Sequence, residues 1–424
     1  MNLLKLAWKN LTAKPLSMLL SLLLFALGTG LVALLLLLNQ QLQEKFDKNL
    51  ANIDLIIGAK GSPLQLVLCN MYHVDNPTGN VDIADIKPFL NPNHPLLAKA
   101  VPVSVGDSYK GYRIVGSTLD FPELYHAQLH EGRLWQSTME VAIGATVAAK
   151  AQLHIGDTFL SAHGLVDAEE MLEMHRTDVR FKVVGIFAPT GSVLDQLILT
   201  NTQSIWAVHE HEAQETAAGH EHAHDASPLA HLDSITDLRQ APERQITALL
   251  LRFKGRNAQT LNMARGINEN TKLQAASPAI ELNRLYSMMG AGETLLRAIA
   301  LVIMAVSGIS IFISLYNSLK ERRYELSLMR VMGASPRRLF LLIILEGTLL
   351  SLVGCAIGIA LGHVGMELLA GVMESTYRYT FSGWVFLKEE TYLLLAAMGI
   401  GLLAAVLPAL QAFSMDISAT LSEG

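Results

Sequence analysis

Four apolar runs constrain this chain more than any other feature: residues 16–38, 293–317, 339–371 and 392–413. Each is long enough, as a helix rising about 1.5 Å per residue, to cross about 30 Å of hydrocarbon. A chain carrying all four is a membrane protein. Composition agrees, with 51% hydrophobic and only 17% charged residues among 424. The first run contains no charged residue and is flanked by Lys5, Lys9 and Lys14. It is too long for a signal peptide and lacks a small-x-small cleavage site, so it is expected to stay as a membrane helix with its N-terminus inside. Residues 1–15 alternate these lysines with Leu3, Leu4, Leu6 and Trp8, the pattern of an amphipathic helix on the inner membrane surface.

Between the second and third runs lies a charged segment, 318–338. It has six basic residues (Lys320, Arg322, Arg323, Arg330, Arg337, Arg338) against two acidic ones, Glu321 and Glu325. The excess of positive charge marks a cytoplasmic loop. Leu326, Met329 and Gly333 fall at helical spacing, Gly333 suits a C-terminal cap, and Ser335-Pro336 reads as the start of the next helix. Membrane helix, short helix, membrane helix is the expectation.

The run Glu-Arg-Arg-Tyr-Glu-Leu-Ser-Leu-Met-Arg-Val-Met-Gly-Ala-Ser over 321–335, followed by a glycine-rich membrane helix, resembles the signature of the FtsX/MacB permease superfamily of ABC transporters. The resemblance implies a coupling helix that docks on a separate ATPase subunit through Glu321, Arg322, Glu325, Leu326, Met329, Arg330, Gly333 and Ala334. It also implies a dimer of permeases, alike or different, bound to two ATPase subunits that carry ATP and magnesium. A periplasmic adaptor or binding protein and membrane lipid complete the expected partners; nothing in the sequence suggests nucleic acid.

Residues 39–292 form the large region between the first two runs. Short strand-like stretches recur at 54–57, 100–105, 112–116, 140–143, 179–188, 196–200 and 246–253, with helical stretches near 146–153, 202–209 and 257–268. An α+β periplasmic domain is expected. Glu131-Gly-Arg133, Glu140-Val-Ala-Ile-Gly144, Ile155-Gly-Asp-Thr158 and Phe181-Lys-Val-Val-Gly-Ile186 resemble the spaced motifs of the MacB periplasmic domain, and their order strengthens each. Helical patterns at 40–52 (Leu42, Phe46, Leu50) and 277–292 (Ile280, Leu282, Leu285, Met288) flank this region, either pairing as a stalk or packing separately on the domain. The resulting fold is four transmembrane α-helices with a large MacB-like domain inserted between the first and second, both termini cytoplasmic in the inner membrane.

The third run carries Gly354, Gly358 and Gly362, whose spacing lets two helices approach closely in lipid, within one chain or between two. The external loop 372–391 holds Tyr377, Tyr379 and Trp384 as interface anchors, and 414–424 is a short cytoplasmic tail. Glu346, inside an apolar run, is expected to pair with a cytoplasmic arginine or meet the ATPase. Arg297 is expected to reach the outer interface. His363 and Glu367 share a helix face near that interface, as a hydrogen-bonded pair or as metal ligands. Cys69 and Cys355 have no evident disulfide role.

No Gly-x-x-x-x-Gly-Lys-Ser/Thr occurs, so ATP hydrolysis falls to a partner. Gly58-Ala-Lys60-Gly61-Ser62 has the wrong spacing and opens a turn-rich stretch, 54–80, that either contacts substrate or simply turns. Six of fourteen histidines, His209, His211, His220, His222, His224 and His231, cluster among Glu210, Glu212, Glu221 and Asp225. Imidazole with carboxylate suits Zn²⁺, against a plain solvated loop. Three functions follow: extraction or transport of a periplasmic or membrane cargo such as a lipoprotein, peptide or amphipathic molecule; zinc handling; or a signalling permease that activates a periplasmic hydrolase and moves nothing.

Overall fold

A computed structural model describes residues 3–13, 15–163, 180–217, 234–377 and 381–415, with only the backbone at 210–217, 289 and 374–377. The chain divides into two compact units, residues 44–287 and the remainder.

The unit 44–287 is built on a mixed sheet. Its strand order is Leu273–Ala276, Leu55–Ala59, Ala248–Phe253, Leu97–Tyr109, Tyr112–Ser117, Ile198–Asn201, Glu140–Ile143, Phe181–Phe187 and Leu129–Gly132. Most neighbours are antiparallel, but Ile198–Asn201 runs parallel to Tyr112–Ser117, and Glu140–Ile143 parallel to Phe181–Phe187. Side chains on a strand alternate between faces. Ile56 and Leu250 therefore join one core with Val101, Val115 and Trp135, while Leu55, Ile57, Leu249 and Leu251 join a second with Ile83 and Ile267. Both faces are covered, so these strands read as unbroken apolar runs. The chain enters and leaves this unit on helices that pack against the first core: Phe46, Leu50, Leu282, Leu285 and Tyr286 all belong to it. Phe46 meets Tyr286 edge-on at 5.7 Å and Tyr72 at 5.1 Å. The two flanking helical stretches thus pair with each other and with the domain; Ile280 does not take part, being 66% exposed.

The spaced motifs acquire a physical reason here. Arg133 grips Glu140 with both guanidinium nitrogens, Nη1 at 2.7 Å and Nη2 at 2.5 Å, and the backbone N–H groups of Gln136 and Ser137 donate to the same carboxylate. The Arg133 guanidinium, aided by those amides, holds the Glu140 carboxyl down at about 2. Gly132 has φ +79°, and a Cβ there would sit 3.0 Å from Gly185 Cα, so Glu-Gly-Arg and Val-Val-Gly are two halves of one close strand contact. Within the stretch 54–80 two side chains brace the fold. Ser62 caps the helix Pro63–Met71, and the Lys60 ammonium donates to the carbonyls of Asn268, Thr271 and Leu273. Cys69 and Cys355 are both free and buried.

His73 is a buried titratable side chain without compensation. His73 has φ +53°, and neither ring nitrogen has a hydrogen-bond partner. Burial, with the nearby Arg113 cation, pushes its pKa down to about 3. The unfolded chain binds this proton near pH 6.5 and the folded chain does not, so stability is full above about pH 6.5 and falls as pH drops towards 3. About 2 kcal/mol is lost between pH 7 and pH 5 on this account. His73→Asn keeps a residue tolerant of positive φ and removes the titration; thermal melts of the variant between pH 7 and 5 are expected to shift less than those of the parent.

The second unit holds four helices long and apolar enough to cross a membrane: TM1 (Pro15–Asn49), TM2 (Pro278–Glu321), TM3 (Pro336–Tyr377) and TM4 (Glu389–Phe413). TM1 and TM3 touch along the glycine face. A Cβ on Gly358 would lie 2.7 Å from Ala26 O, one on Gly362 2.8 Å from Ala33 Cβ, and one on Gly354 3.1 Å from Phe25. Gly354, Gly358 and Gly362 therefore serve a crossing within the chain. Gly347 and Gly401 bring TM3 and TM4 together in the same manner, each facing the other's backbone carbonyl at 2.9 and 2.8 Å from the added Cβ. Hydroxyl pairs tie TM1 to TM2, Ser17 to Ser314 at 2.9 Å and Ser21 to Ser310 at 3.1 Å. Gly371 has open space around its Cα. Gly358→Leu is expected to abolish monodisperse, thermally stable protein in detergent, while Gly371→Leu leaves the melting profile unchanged; size-exclusion chromatography and melts read both.

Candidate functional site

The segment between TM2 and TM3 folds as a short helix, Arg323–Val331, after a bend at Arg322. The bend keeps its hydrogen bonds, with Arg322 N–H donating to Ser318 O and Leu326 N–H to Arg322 O. Gly333, at φ +99°, ends the helix: its N–H donates to Arg330 O and the Ala334 N–H to Met329 O. Only glycine reaches this conformation without strain, so the chain can turn back into Pro336 at the head of TM3.

One face of the short helix is locked inward. Leu326 is 3% exposed and packs with Leu319, Leu339, Ile343, Ala409 and Ala412, with Met329 against the same cluster. Arg322 reaches Glu346 on TM3, Nη1 to Oε1 at 3.5 Å, and Asn10 of the N-terminal helix Leu3–Thr12 donates to that oxygen at 2.6 Å. Glu346 is 4% exposed, so these two groups compensate a carboxylate surrounded by apolar helices. Arg330 Nη1 donates to the Met415 carbonyl at 2.7 Å, tying the helix to the end of TM4. The opposite face is uncovered among the described residues. Tyr324, Leu328, Val331 and Met332 are 53%, 44%, 60% and 73% exposed at spacings of four, three and one, an apolar stripe on one side. Arg323 and Glu325 flank it, both exposed.

Of the residues expected to couple, Arg322, Leu326, Met329 and Arg330 therefore hold the helix in place, Gly333 and Ala334 form its cap, and Glu321 and Glu325 lie on the exposed side. The outward stripe and Asn10 were not among those residues. Their signals were present: Asn10 continues the half-buried and buried positions Leu3, Leu6 and Ala7, and Tyr324, Leu328 and Val331 follow helical spacing.

At the other end of the bundle, His363 Nε2 lies 3.2 Å from Glu390 Oε1, and its Nδ1 lies 2.5 Å from Gly383 O. The Gly383 N–H donates to Glu367 at 2.7 Å. His363 and Glu367 thus clamp the turn before TM4 as hydrogen-bonding groups. Gln41 on TM1 exchanges two bonds with Ser382, donating at 2.8 Å and accepting at 2.9 Å. Trp384 is 78% exposed, and Arg297 pairs with Glu293 one turn earlier at 2.5 Å. Tyr379 lies outside the described residues, as does the side chain of Tyr377.

His220, His222, His224 and His231 lie outside the described residues, and of His211 only the backbone is described. His209, on the helix Thr202–Ala217, faces the fully buried Asp107 at 3.6 Å. Among the described residues no group of three potential ligands is placed to hold a metal.

Four spanning helices, an inserted α+β domain and a locked helix between TM2 and TM3 define a polytopic membrane subunit with a periplasmic domain. Residues 18–236, over half the chain, match the MacB-like periplasmic core domain, and residues 297–417 match the FtsX-like permease C-terminal domain. The chain belongs to the FtsX/MacB-type ABC permease superfamily, whose members are transmembrane components that work with an ABC ATPase. Among solved structures, it is similar to the periplasmic region of MacB from Actinobacillus actinomycetemcomitans, at 12% identity and TM-score 0.32 over 57% of this chain and 97% of that one. It is also similar to the extracellular domain of the ABC-type transporter YknZ from Gram-positive bacteria, at 12% identity and TM-score 0.29 over 53% of this chain and 99% of that one. A search of curated proteins found no match.

The pair Glu346 and Arg322 is expected to behave asymmetrically. Arg322→Met leaves a buried carboxylate with only Asn10 for company, whereas Arg322→Met with Glu346→Met removes both charges. Melting temperature should fall clearly in the single variant and recover most of the loss in the double.

Proposed function

We propose that this chain transmits ATP-driven motion from two copies of a partner ATPase to its periplasmic domain, moving or extracting a periplasmic or membrane cargo such as a lipoprotein, a peptide or an amphipathic molecule. In this reading both termini and the Arg323–Val331 helix are cytoplasmic, as the excess of Lys and Arg in 1–15 and 318–338 indicates. The permease works as a dimer, and ATP with magnesium resides on the partner.

The observation that carries this reading is the two-sidedness of the short helix. Its inner face packs on TM3 and TM4 through Leu326, Arg322 at its start reaches Glu346 of TM3, and Arg330 bonds the end of TM4, so a push on the helix is delivered to the bundle. Its outer face is an apolar stripe with no cover among the described residues, the form an amphipathic helix takes when it lies in a partner's groove. TM2 is one helix from Pro278 to Glu321, a continuous element along which motion can travel.

The test is co-purification. Leu328→Glu with Met332→Glu, both on exposed positions, should reduce recovery of the ATPase subunit at least tenfold while membrane insertion and melting temperature stay as in the parent. Undiminished recovery would overturn the docking assignment. Zinc at the histidine-rich stretch is a separate proposal resting on ligand density in the sequence, and calorimetric titration of the full chain, with and without residues 210–231, decides it.

A further inference from the structure

A groove of about 540 Å³ opens in the unit 44–287, between the segment that follows TM1 and the helix Ala258–Asn270. Its apolar lining includes Leu50, Ile53, Ala264, Leu261 and Ile280. Leu261 and Ile280 are 72% and 66% exposed, although each is large enough to be worth burying. Two cations stand in the same lining, Arg252 and Arg256, both exposed. Neither makes an ion pair or a side-chain hydrogen bond among the described residues. The carboxylate in the lining, Asp54, is engaged elsewhere, accepting the Phe253 N–H at 2.8 Å.

We infer that this groove binds an anionic amphiphile, a single hydrocarbon chain ending in a carboxylate or phosphate. An apolar trough beside two unpaired guanidinium groups complements that chemistry at both ends: the chain leaves water against Leu261 and Ile280, and the head takes charge-assisted hydrogen bonds from the arginines. Size argues against a partner helix. The volume lies within the range of small-molecule sites, about 300–1,000 Å³, whereas a helix about 10 Å across needs a longer trough. A free inorganic anion is also a poor match, because it would leave the apolar wall of Leu261 and Ile280 uncovered. The arginines bind the head and the apolar walls hold the tail. This assignment concerns binding alone and stands apart from ATPase docking, so either can fail without the other.

The test uses the full chain in phosphatidylcholine nanodiscs with palmitate bearing a diazirine at its terminal carbon. After irradiation, labelled peptides are mapped by mass spectrometry, beside the matching neutral palmityl alcohol. Label is expected on peptides carrying Leu261, Ala264 or Ile280, at least tenfold stronger from the acid than from the alcohol. Arg252→Gln with Arg256→Gln should remove that preference, and Leu261→Ser with Ile280→Ser should lower groove labelling by either probe at least tenfold. All four positions are exposed, so melting curves of the variants should match the parent. Label confined to the apolar runs 16–38, 293–317, 339–371 and 392–413 overturns the assignment. So does equal groove labelling by acid and alcohol, or a preference that survives loss of both arginines.

Discussion

The carboxylate of Glu346 sets the terms for the end of the bundle that carries the short helix. An ionised group among apolar helices is tolerated only with partners, and the partners come from outside TM3: Arg322 at the bend after TM2, and Asn10 on the N-terminal helix. Satisfying one buried charge therefore joins three elements that are remote in sequence. It also fixes which way the short helix faces. With Arg322, Leu326 and Met329 turned inward, Tyr324, Leu328, Val331 and Met332 have no choice but to point out. The exposed stripe is a consequence of the internal lock.

Below this lock the bundle is held by close backbone approach. Gly358 against Ala26 and Gly30, and Gly347 against Gly401, leave no room for a side chain, and packing of this kind drives helix association in lipid. Interfaces so tight are poor at gradual deformation, since interiors packed to this density respond by shifting as units. TM1, TM3 and TM4 thus form one closely packed group.

Much of this was legible in the sequence. Four spans follow from run length, and the α+β character of the inserted domain follows from short β-rich runs broken by turn residues and helical stretches. The cap at Gly333 was readable because only glycine fits that conformation cheaply. Glu346 was readable as a charge in need of a cation. What could not be read was rotation. A nine-residue helix with apolar side chains on both faces does not announce which face is covered, because that depends on TM3, TM4 and Asn10 meeting in space. The same holds for the glycine face, whose spacing fits a dimer as well as an internal crossing. The groove beside Leu261 and Ile280 was invisible for a related reason: its walls come from three stretches more than 200 residues apart at the extremes, Leu50 to Ile280. The reason for the Glu-Gly-Arg motif, a glycine pressed against Gly185 with Arg133 clamped on Glu140, likewise needed the strand pairing.

The most direct measurement is a photocrosslinking scan of the short helix. A benzophenone amino acid is placed singly at positions 324 to 332 of the full chain, with the partner ATPase co-expressed, and crosslinked ATPase is quantified. The account predicts strong crosslinks from 324, 328, 331 and 332 and weak ones from 326 and 329, a helical pattern in phase with the exposed stripe. Crosslinks of equal strength at every position, or strongest at 326 and 329, would contradict it.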